Sequence, residues 1–369
     1  MKIIYILKKG LHNYPPCLNQ VLTINDMGID LVVYHGKESD YINSLLDSRN
    51  ITHYVLKSDN ERNGRFNSVK KLINFYKELK DIIKRAPNDC VLWFGNAESA
   101  FMAEGLLKSR KYVLSILELY DSKSILSKGL SKIINSATAV ICCEKHRAAI
   151  MTSQYSLSRI PFVVPNKAYE LDDRFDGLDS IVSDENGCLL TDKSKYKVLY
   201  QGLISSDRPL KTIASALSLI DDPSIYFVVM GKGDLNQVQE VKSIYDRTIY
   251  LGYIPSPLHM IVTRHANLGI ANYDISSLNN IFCAPNKKYE YSKYGIPMIV
   301  SSNIGLQETV GDSKAAITVD FNDIECIVEA VKDIKNNSNT FSENANRFYD
   351  ATNTHLLIEE IVEFVKENA

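Results

Sequence analysis

Short apolar runs rich in branched residues alternate along the chain with longer stretches in which apolar positions recur every three or four residues. The short runs are apolar throughout, which is typical of parallel strands covered by helices on both faces. In the first half they predict strands at Lys2–Leu7, Asp30–Tyr34, Thr52–Leu56, Cys90–Phe94, Tyr112–Leu117, Ala139–Cys143 and Phe162–Val164. In the second half they predict strands at Lys197–Tyr200, Ile225–Met230, Thr248–Leu251, Leu268–Ala271, Met298–Ser301 and Ile317–Val319. This alternation of strands and helices indicates an α/β protein with parallel sheets.

The strand–helix pattern fails between residues 171 and 194, where the chain is polar and acidic. We interpret this segment as an interdomain connection; the alternative is a surface loop within one domain. It separates an N-terminal Rossmann-like domain, 1–170, from a C-terminal one, 195–350, since 369 residues are many for a single core. The last segment, 351–369, predicts a helix that packs back on the N-terminal domain. Its apolar face holds Leu357, Ile358, Ile361, Val362 and Val365.

Charge is divided unevenly between the two halves. Residues 1–169 hold 24 Lys and Arg against 15 Asp and Glu, whereas residues 170–369 hold 18 against 29. We therefore expect the first half to meet an anionic partner. The seven cysteines are odd in number and include no C-x-x-C pair, which favours free thiols in a reducing compartment. With no apolar stretch of membrane-spanning length, and a first apolar run that predicts a strand rather than a signal peptide, we expect a cytoplasmic protein.

Three segments of the second half combine glycine turns with charged residues. In KVLYQGLISSDRPLKT, Gly202 follows a strand, and Arg208 and Lys211 fall near the start of a helix, which suits a diphosphate. Gly231 and Gly233 follow the next strand, where a plain turn is the alternative. In the third segment, CAPNKKYEYSKYGIP, a helix is predicted to begin near Asn286. Glu290 in that helix can accept both hydroxyls of a ribose or simply compensate the helix dipole.

The order of these segments resembles the donor-binding domain of GT-B glycosyltransferases, in particular the retaining family 4 type. The resemblance covers residues 197–311 closely and the rest in outline. It implies that Arg208 corresponds to the family's phosphate-binding lysine, Glu290 to its ribose-binding glutamate, and Gly231 and Gly233 to the turn beside the nucleotide. The chain departs from the family at Leu203, which replaces a second basic residue, and at Phe282, which replaces a first glutamate.

Candidate residues of the first half resemble the family less closely. Gly10 and His12 follow the first strand, and Glu118 and Asp121 follow the fifth, where Tyr120 stands in place of the family's histidine. Asn166 ends the run that leads into the hinge, and Arg147 lies upstream of it. Each of these also has a structural interpretation. His12 would be a solvated loop residue, Asp121 a helix cap and Arg147 an ion-pair residue.

The resemblance implies two domains facing a cleft and an enzyme that moves a sugar from a nucleotide sugar, most simply a UDP-sugar, to an acceptor hydroxyl with retention. Catalytic candidates are Arg208, Asp121 and His12, with Lys211 or Lys287 assisting Arg208 at the departing diphosphate. No cofactor, metal or nucleic acid is expected. The acceptor would be a glycan or lipid-linked saccharide in bacterial surface-glycan assembly. The alternatives are a GT-B nucleotide-sugar epimerase and an inactive sugar- or lipid-binding subunit.

One helical segment of the first half has an apolar and a basic face. The apolar positions are Phe66, Val69, Leu72, Ile73, Tyr76, Leu79 and Ile83, and the basic ones are Lys70, Lys71, Lys77, Lys80, Lys84 and Arg85. Such a helix can lie on an anionic membrane, here at the inner face of the cell membrane. The alternative is a Rossmann helix whose outer face is solvated.

Overall fold

The computed structural model describes residues 1–60, 65–120, 122–171, 178 and 181–368 of the chain, which divide into two compact units. Unit 1 comprises Met1–Tyr169 and Asn353–Ala369, and unit 2 comprises Glu170–Thr352. Each unit is built on its own parallel sheet, with helices in the connections between strands.

Unit 1 contains a seven-stranded sheet with the order β3-β2-β1-β4-β5-β6-β7. Its strands are β1 Lys2–Leu7, β2 Asp30–His35, β3 Thr52–Val55, β4 Val91–Phe94, β5 Lys111–Ser115, β6 Ala139–Cys142 and β7 Phe162–Val163. Its helices are α1 Pro15–Asp26, α2 Asp40–Ser48, α3 Arg65–Arg85, α4 Ala97–Ala100, α5 Ile125–Leu130 and α6 Lys145–Tyr155. Short 3₁₀ turns lie at Leu11–Asn13, Lys57–Asn60, Glu104–Leu106 and Ile134–Ser136.

Unit 2 contains a six-stranded sheet with the order β10-β9-β8-β11-β12-β13. Its strands are β8 Tyr196–Gln201, β9 Ile225–Met230, β10 Thr248–Tyr250, β11 Leu268–Ala271, β12 Met298–Ser301 and β13 Ala316–Val319. Its helices are α7 Asp184–Thr191, α8 Lys211–Ile220, α9 Leu235–Ile244, α10 His259–Thr263, α11 Leu278–Ile281, α12 Lys287–Ser292, α13 Ile304–Leu306, α14 Ile324–Asn336 and α15 Ser338–Ala351. A π-helical turn follows α13 at Gln307–Gly311.

All the predicted strands are present, and none of their ends differs by more than two residues from the structure. The α/β class is therefore confirmed. The segment 171–194, predicted as a connection, is grouped with unit 2 and contains α7. Leu178 and Leu190 in that segment are buried in the core of unit 2.

The last helix, α16 Thr354–Glu367, belongs to unit 1 and packs against α1. Its residues Ile358, Ile361, Val362 and Val365 are fully buried. The side-chain amide of Asn19 in α1 donates to Thr354 Oγ1, at the start of α16, and to the backbone oxygen of Lys167, both at 2.8 Å. The helix adds one lysine and four glutamates to unit 1, so the net charge is +6 for unit 1 and −8 for unit 2.

Helix α3 differs from its predicted amphipathic pattern. Phe75, Leu79, Ile82 and Ile83 face the core, while Val69 and Ile73 of the predicted apolar face are 63% and 49% exposed. The apolar face predicted from the pattern and the face that packs on the core therefore differ, because the residues that cover the sheet lie in the last three turns of the helix. The side chain of Phe66 lies outside the described residues. No helix in the described part of the chain is both long enough and apolar enough to cross a membrane.

Candidate functional site

The strand order of each sheet reverses at one point, between β1 and β4 in unit 1 and between β8 and β11 in unit 2. At such a point the connections leave towards opposite faces of the sheet and open a crevice at the carboxyl ends of the strands. The predicted site residues of unit 2 follow β8, β9 and β11, and His12 of unit 1 follows β1. The residues after β8 and β11 in unit 2 and after β1 in unit 1 therefore lie at the switch point of their own unit.

The glycines after β8 and β9 allow the two strand ends to pack directly on each other. A Cβ at Gly231 would lie 1.8 Å from the backbone oxygen of Gly202, and one at Gly233 would lie 1.9 Å from that of Ile204. The backbones stay hydrogen bonded beyond the strands, from Gly202 N to Met230 O and from Ile204 N to Lys232 O, both at 2.9 Å. The two glycines of the G-K-G sequence therefore permit this close packing of the strand ends.

Lys287 and Arg208 place two cations against two aromatic rings at this switch point. The ammonium of Lys287 lies 4.2 Å from the ring centre of Tyr200 and 5.4 Å from that of Tyr273. The guanidinium of Arg208 lies 4.7 Å from the ring centre of Tyr273. The stem of Lys287 fills the space beside Gly202, where a Cβ would meet its Cε at 2.9 Å. Aromatic faces attract cations without neutralising their charge. The Nε of Arg208 also lies 3.5 Å from Asp207 Oδ2, so Arg208 has one carboxylate neighbour, whereas Lys287 forms no ion pair with any of the described residues.

Lys287 is buried, with 6% of its surface exposed, and its ammonium has no hydrogen-bond partner among the described residues. Burial lowers the pKa of Lys287 to about 7, and the nearby positive charge of Arg208 acts in the same direction, whereas Glu290 opposes it. An unpaired buried ammonium is costly, and two anionic oxygens would satisfy both cations.

Glu290 lies beside this pair in α12 and is held by hydrogen bonds. The amide of Gln201 donates to its Oε2 at 2.6 Å, and His259 Nε2 lies 3.3 Å from its Oε1. Thr263 donates to Gln201 Oε1 at 2.7 Å, which fixes the orientation of that amide. Burial by itself would raise the pKa of Glu290, but His259, Gln201 and Lys287 together lower it. A charged carboxylate, 12% exposed, is thus held ready at the switch point.

Two other predicted donor-site residues have different surroundings. Lys211 begins α8, and its ammonium pairs with Glu240 Oε1 at 2.7 Å while its side chain stays 60% exposed. The structure therefore does not bring Lys211 to the pair of cations. Asn286 precedes α12, and its backbone oxygen accepts from the N–H groups of Tyr289 and Glu290.

At the switch point of unit 1, His12 lies against a buried carboxylate. Its Nδ1 is 2.8 Å from Oε2 of Glu38, whose side chain is fully buried in the segment after β2. Glu38 also accepts from the backbone N–H groups of Leu11 and His12. Gly10 makes room for this arrangement, since a Cβ there would lie 2.6 Å from the His12 ring and 2.5 Å from the backbone oxygen of Lys37. His12 is therefore positioned by its neighbours.

Arg147 and Glu118 connect the ends of β5 and β6. The Arg147 side chain, 3% exposed, donates to the backbone oxygen of Leu117 at 2.5 Å and lies 3.5 Å from Glu118 Oε2. Glu144 caps α6 by accepting from the N–H groups of His146 and Arg147. These contacts fit the structural interpretation of Arg147. Asn166 is half-buried after β7, and Asp121 lies outside the described residues.

Sequence reasoning missed several residues of these sites: Tyr200, Gln201, His259, Thr263, Tyr273 and Glu38. Four of them lie at or just after the carboxyl end of a strand. Polar or aromatic residues at that point of a parallel strand are the signal that could have identified them. His259 and Thr263 lie in α10, and no local pattern marks them.

Solved structures similar to this chain share its fold over the whole length. HepE from Anabaena, solved with UDP-glucose, has a TM-score of 0.71 at 12% identity and covers 100% of both chains. Sucrose-phosphate synthase from Thermosynechococcus elongatus has a TM-score of 0.70 at 15% identity, covering 100% of this chain and 99% of its own. A glycosyltransferase from Rickettsia africae has a TM-score of 0.69 at 15% identity, covering 99% and 98%.

No known protein family matches the sequence, and no curated protein matches it. The class of the molecule therefore follows from its fold. The chain has the two-domain α/β fold of the GT-B class, with sheets of seven and six parallel strands.

Proposed function

We propose that this protein transfers a sugar from a nucleoside-diphosphate sugar, with a UDP-sugar as our candidate, to a hydroxyl of an acceptor. The observation that carries the proposal is the pair Arg208 and Lys287 at the switch point of unit 2. Two cations there, one of them buried without a hydrogen-bond partner among the described residues, match the charge of a diphosphate. Similar solved structures were determined with UDP or UDP-glucose, which supports this choice.

The same pair suits the chemistry of glycosyl transfer. As the bond from the sugar to the diphosphate breaks, negative charge develops on the departing oxygens, and fixed cations stabilise it. Glu290 beside the pair is a charged acceptor for the ribose hydroxyls. Neither function requires a metal ion.

The experiment compares Arg208→Ala with the matched control Lys211→Ala, whose cation pairs with Glu240 instead. Calorimetric titration with UDP, UMP and uridine is followed by turnover of UDP-glucose. We expect Arg208→Ala to lower turnover more than UMP affinity, because the charge develops on the diphosphate. Arg208→Lys should restore part of the turnover, since the fork of the guanidinium is lost. Full turnover in Arg208→Ala, or no thermal shift with UDP, GDP, dTDP and their sugars, would contradict the proposal.

The finer assignments rest on the family 4 resemblance. They are retention of the anomeric configuration, a hexosyl donor, and an acceptor that is a glycan or lipid-linked saccharide of a bacterial surface polymer. NMR of the first-formed product tests retention. Incubation with a nucleotide sugar and no acceptor tests the alternatives, because an epimerase would convert the donor to its epimer and an inactive binding subunit would leave it unchanged.

We also propose that unit 1 lies at the anionic face of a membrane through α3. Lys70, Lys77 and Lys84 are exposed on this helix, and the exposed Val69 and Ile73 lie among its basic residues. Apolar side chains among lysines match an interface between headgroups and acyl chains. The charge of +6 on unit 1 favours the same partner.

A further inference from the structure

The side-chain nitrogen of Lys287 is enclosed without an acceptor for its hydrogens. Its stem lies beside Gly202, and the nitrogen lies 4.2 Å from the ring centre of Tyr200 and 5.4 Å from that of Tyr273. Within the described part of the chain it has neither a hydrogen-bond partner nor an ion pair, and the residue is buried. An ammonium has three hydrogens to donate, and water cannot take their place in a buried site. The surroundings therefore disfavour the charged form of this amine.

Arg208 disfavours the charged form further. Its guanidinium faces the same Tyr273 ring, 4.7 Å from the ring centre. A guanidinium stays protonated in proteins, so of these two cations only Lys287 can release its proton. The pKa of Lys287, lowered to about 7 by burial and by Arg208, agrees with this geometry. Without a ligand, the site therefore holds one permanent charge and one amine that exchanges its proton near neutral pH.

The carboxylates around the amine favour its charged form, but each has other partners. Glu290, on the same helix, accepts from Gln201 at 2.6 Å and lies 3.3 Å from His259 Nε2 in α10. Asp207, in the loop from β8 to α8, lies 3.5 Å from the Nε of Arg208. The other titratable groups that influence the two cations are Tyr200, Tyr273 and Cys283. Burial raises the pKa values of both tyrosines, so they are neutral at neutral pH.

A diphosphate would supply what the amine lacks. Its oxygens accept hydrogen bonds and carry negative charge, and an opposite charge close to an amine favours the protonated form. Binding of the anion and uptake of a proton are then linked, and each favours the other by the same free energy. The two tyrosine rings and Gly202 keep the amine in place while it is neutral.

We propose that binding of a nucleoside diphosphate draws one proton from solvent onto Lys287, so that the affinity of the donor site in unit 2 depends on pH. This inference rests on the proposed function, in which a nucleoside diphosphate binds at Arg208 and Lys287. The neutral amine takes up the proton and pairs as an ammonium with a phosphate oxygen, and no covalent bond to the ligand forms. When the diphosphate leaves, the proton returns to solvent. Binding is therefore strongest below neutral pH and weakens as the pH rises.

The first test counts protons by calorimetric titration of UDP at pH 8 in Tris and in HEPES, which release different heats when they give up a proton. The phosphates of UDP are already ionised at this pH, since the second pKa of a phosphate ester is about 6. We expect wild type to take up about one proton more than Lys287→Met. The matched control Lys211→Met removes a lysine that pairs with Glu240 and should not change the uptake.

The second test measures UDP affinity between pH 7 and pH 9. The affinity of wild type should fall by up to about tenfold for each pH unit, the limit for one linked proton. Lys287→Arg keeps its charge at every pH, so its affinity should vary much less over this range. Uridine has no phosphate and should bind wild type without proton uptake. A pH-independent affinity of wild type, or equal uptake with uridine and UDP, would overturn the inference.

The third test observes the amine itself. The ¹³Cε signal of labelled Lys287, assigned with Lys287→Met, reports its protonation. We expect it to titrate near pH 7 in the ligand-free protein and about one to three pH units higher with UDP. A titration curve that UDP leaves unchanged would overturn the inference.

The outcomes separate this inference from the proposed function. Failure of the wild-type protein to bind UDP at any pH from 6 to 9 would reject the donor site, and the proton linkage with it. UDP binding without proton uptake would reject only the linkage. If Lys287→Met does not fold, Lys287→Arg takes its place as the reference for proton uptake and for the assignment.

Discussion

At the residue scale, Lys287 is buried beside Arg208, so unit 2 holds either a neutral amine or two neighbouring cations there. With a pKa of about 7 in the folded protein against about 10.4 in an unfolded chain, the unfolded state binds one more proton between these values. Well above pH 10 the amine of Lys287 is neutral in both states, so its burial costs no stability through its charge. As the pH falls towards 7 the unfolded chain takes up the proton first, and the protein loses stability. Binding of a diphosphate would favour the protonated amine of Lys287 and would therefore oppose this loss of stability at low pH.

We predict that Lys287→Met raises the melting temperature of the ligand-free protein and weakens UDP binding. Methionine keeps the apolar stem without the charge, so the gain in stability should be largest at pH 6–7 and shrink as the pH approaches 10. Melting curves at several pH values, with and without UDP, measure both effects. A gain that is independent of pH, or UDP affinity equal to that of wild type, would contradict the assignment.

Glu290 is expected to act on the ribose, since it is charged and lies beside the cation pair. Glu290→Gln should weaken UDP binding by about 1.5–3 kcal/mol, the value of a hydrogen bond to a charged group. Because the loss concerns the ribose hydroxyls, 2′,3′-dideoxy-UDP should bind wild type and variant almost equally. Titrations with the two nucleotides measure this difference, and Glu240→Gln, remote from the pair, is the matched control. An equal loss for both nucleotides would show that Glu290 acts on another part of the ligand.

At the scale of elements, the turns of α3 differ in which apolar residues they bury. Its C-terminal turns bury Phe75, Leu79, Ile82 and Ile83 on the sheet, whereas its preceding turns expose Val69 and Ile73. The exposed residues that we propose to meet a membrane are therefore not the residues that pack on the sheet.

We predict that the protein binds vesicles containing anionic lipid and that binding weakens as salt rises. Each lysine near an anionic surface contributes about 1 kcal/mol, within the Debye length. Changing Lys70, Lys77 and Lys84 together to Glu should abolish flotation with such vesicles and leave UDP binding intact. The control changes Lys242, Lys314 and Lys332 of unit 2 in the same way. Equal recovery with neutral and anionic vesicles would mean that the helix face is only solvated.

For the whole molecule, the division of the chain is informative, because unit 1 contains both ends of the sequence and unit 2 is continuous. The described residues that contact the cation pair within its own unit, from Tyr200 to Glu290, belong to unit 2. Removing α16, in contrast, would uncover its buried partner α1 in unit 1.

We therefore predict that a fragment of residues 170–352 folds and binds UDP, whereas a fragment of residues 1–169 is unstable without α16. Circular dichroism and calorimetric titration of the two fragments measure this. Adding a peptide of residues 353–369 to the second fragment should restore part of its stability. A 170–352 fragment that folds without binding UDP would show that the donor site needs residues of unit 1.

The sequence by itself determined the elements of this protein and the turns between them. Strand positions and the apolar face of α16 follow from local patterns, because burial on a strand or helix repeats within a few residues. The glycine turn at Gly231 and Gly233 is also visible in the sequence. The sequence also placed Arg208 near the start of a helix, Glu290 in the first turns of a helix, and His12 in the loop after the first strand.

Only the tertiary structure decided which side chains meet. Glu38 reaches His12 because β1 and β2 are neighbouring parallel strands, and His259 reaches Glu290 because α10 lies beside α12. The same holds for Lys287, whose burial against Tyr200 depends on the order of β8 and β11, while Lys211, closer in sequence to Arg208, pairs with Glu240 instead. Contacts between residues far apart in the chain depend on strand order and on helix packing, and the pattern around a single residue carries neither.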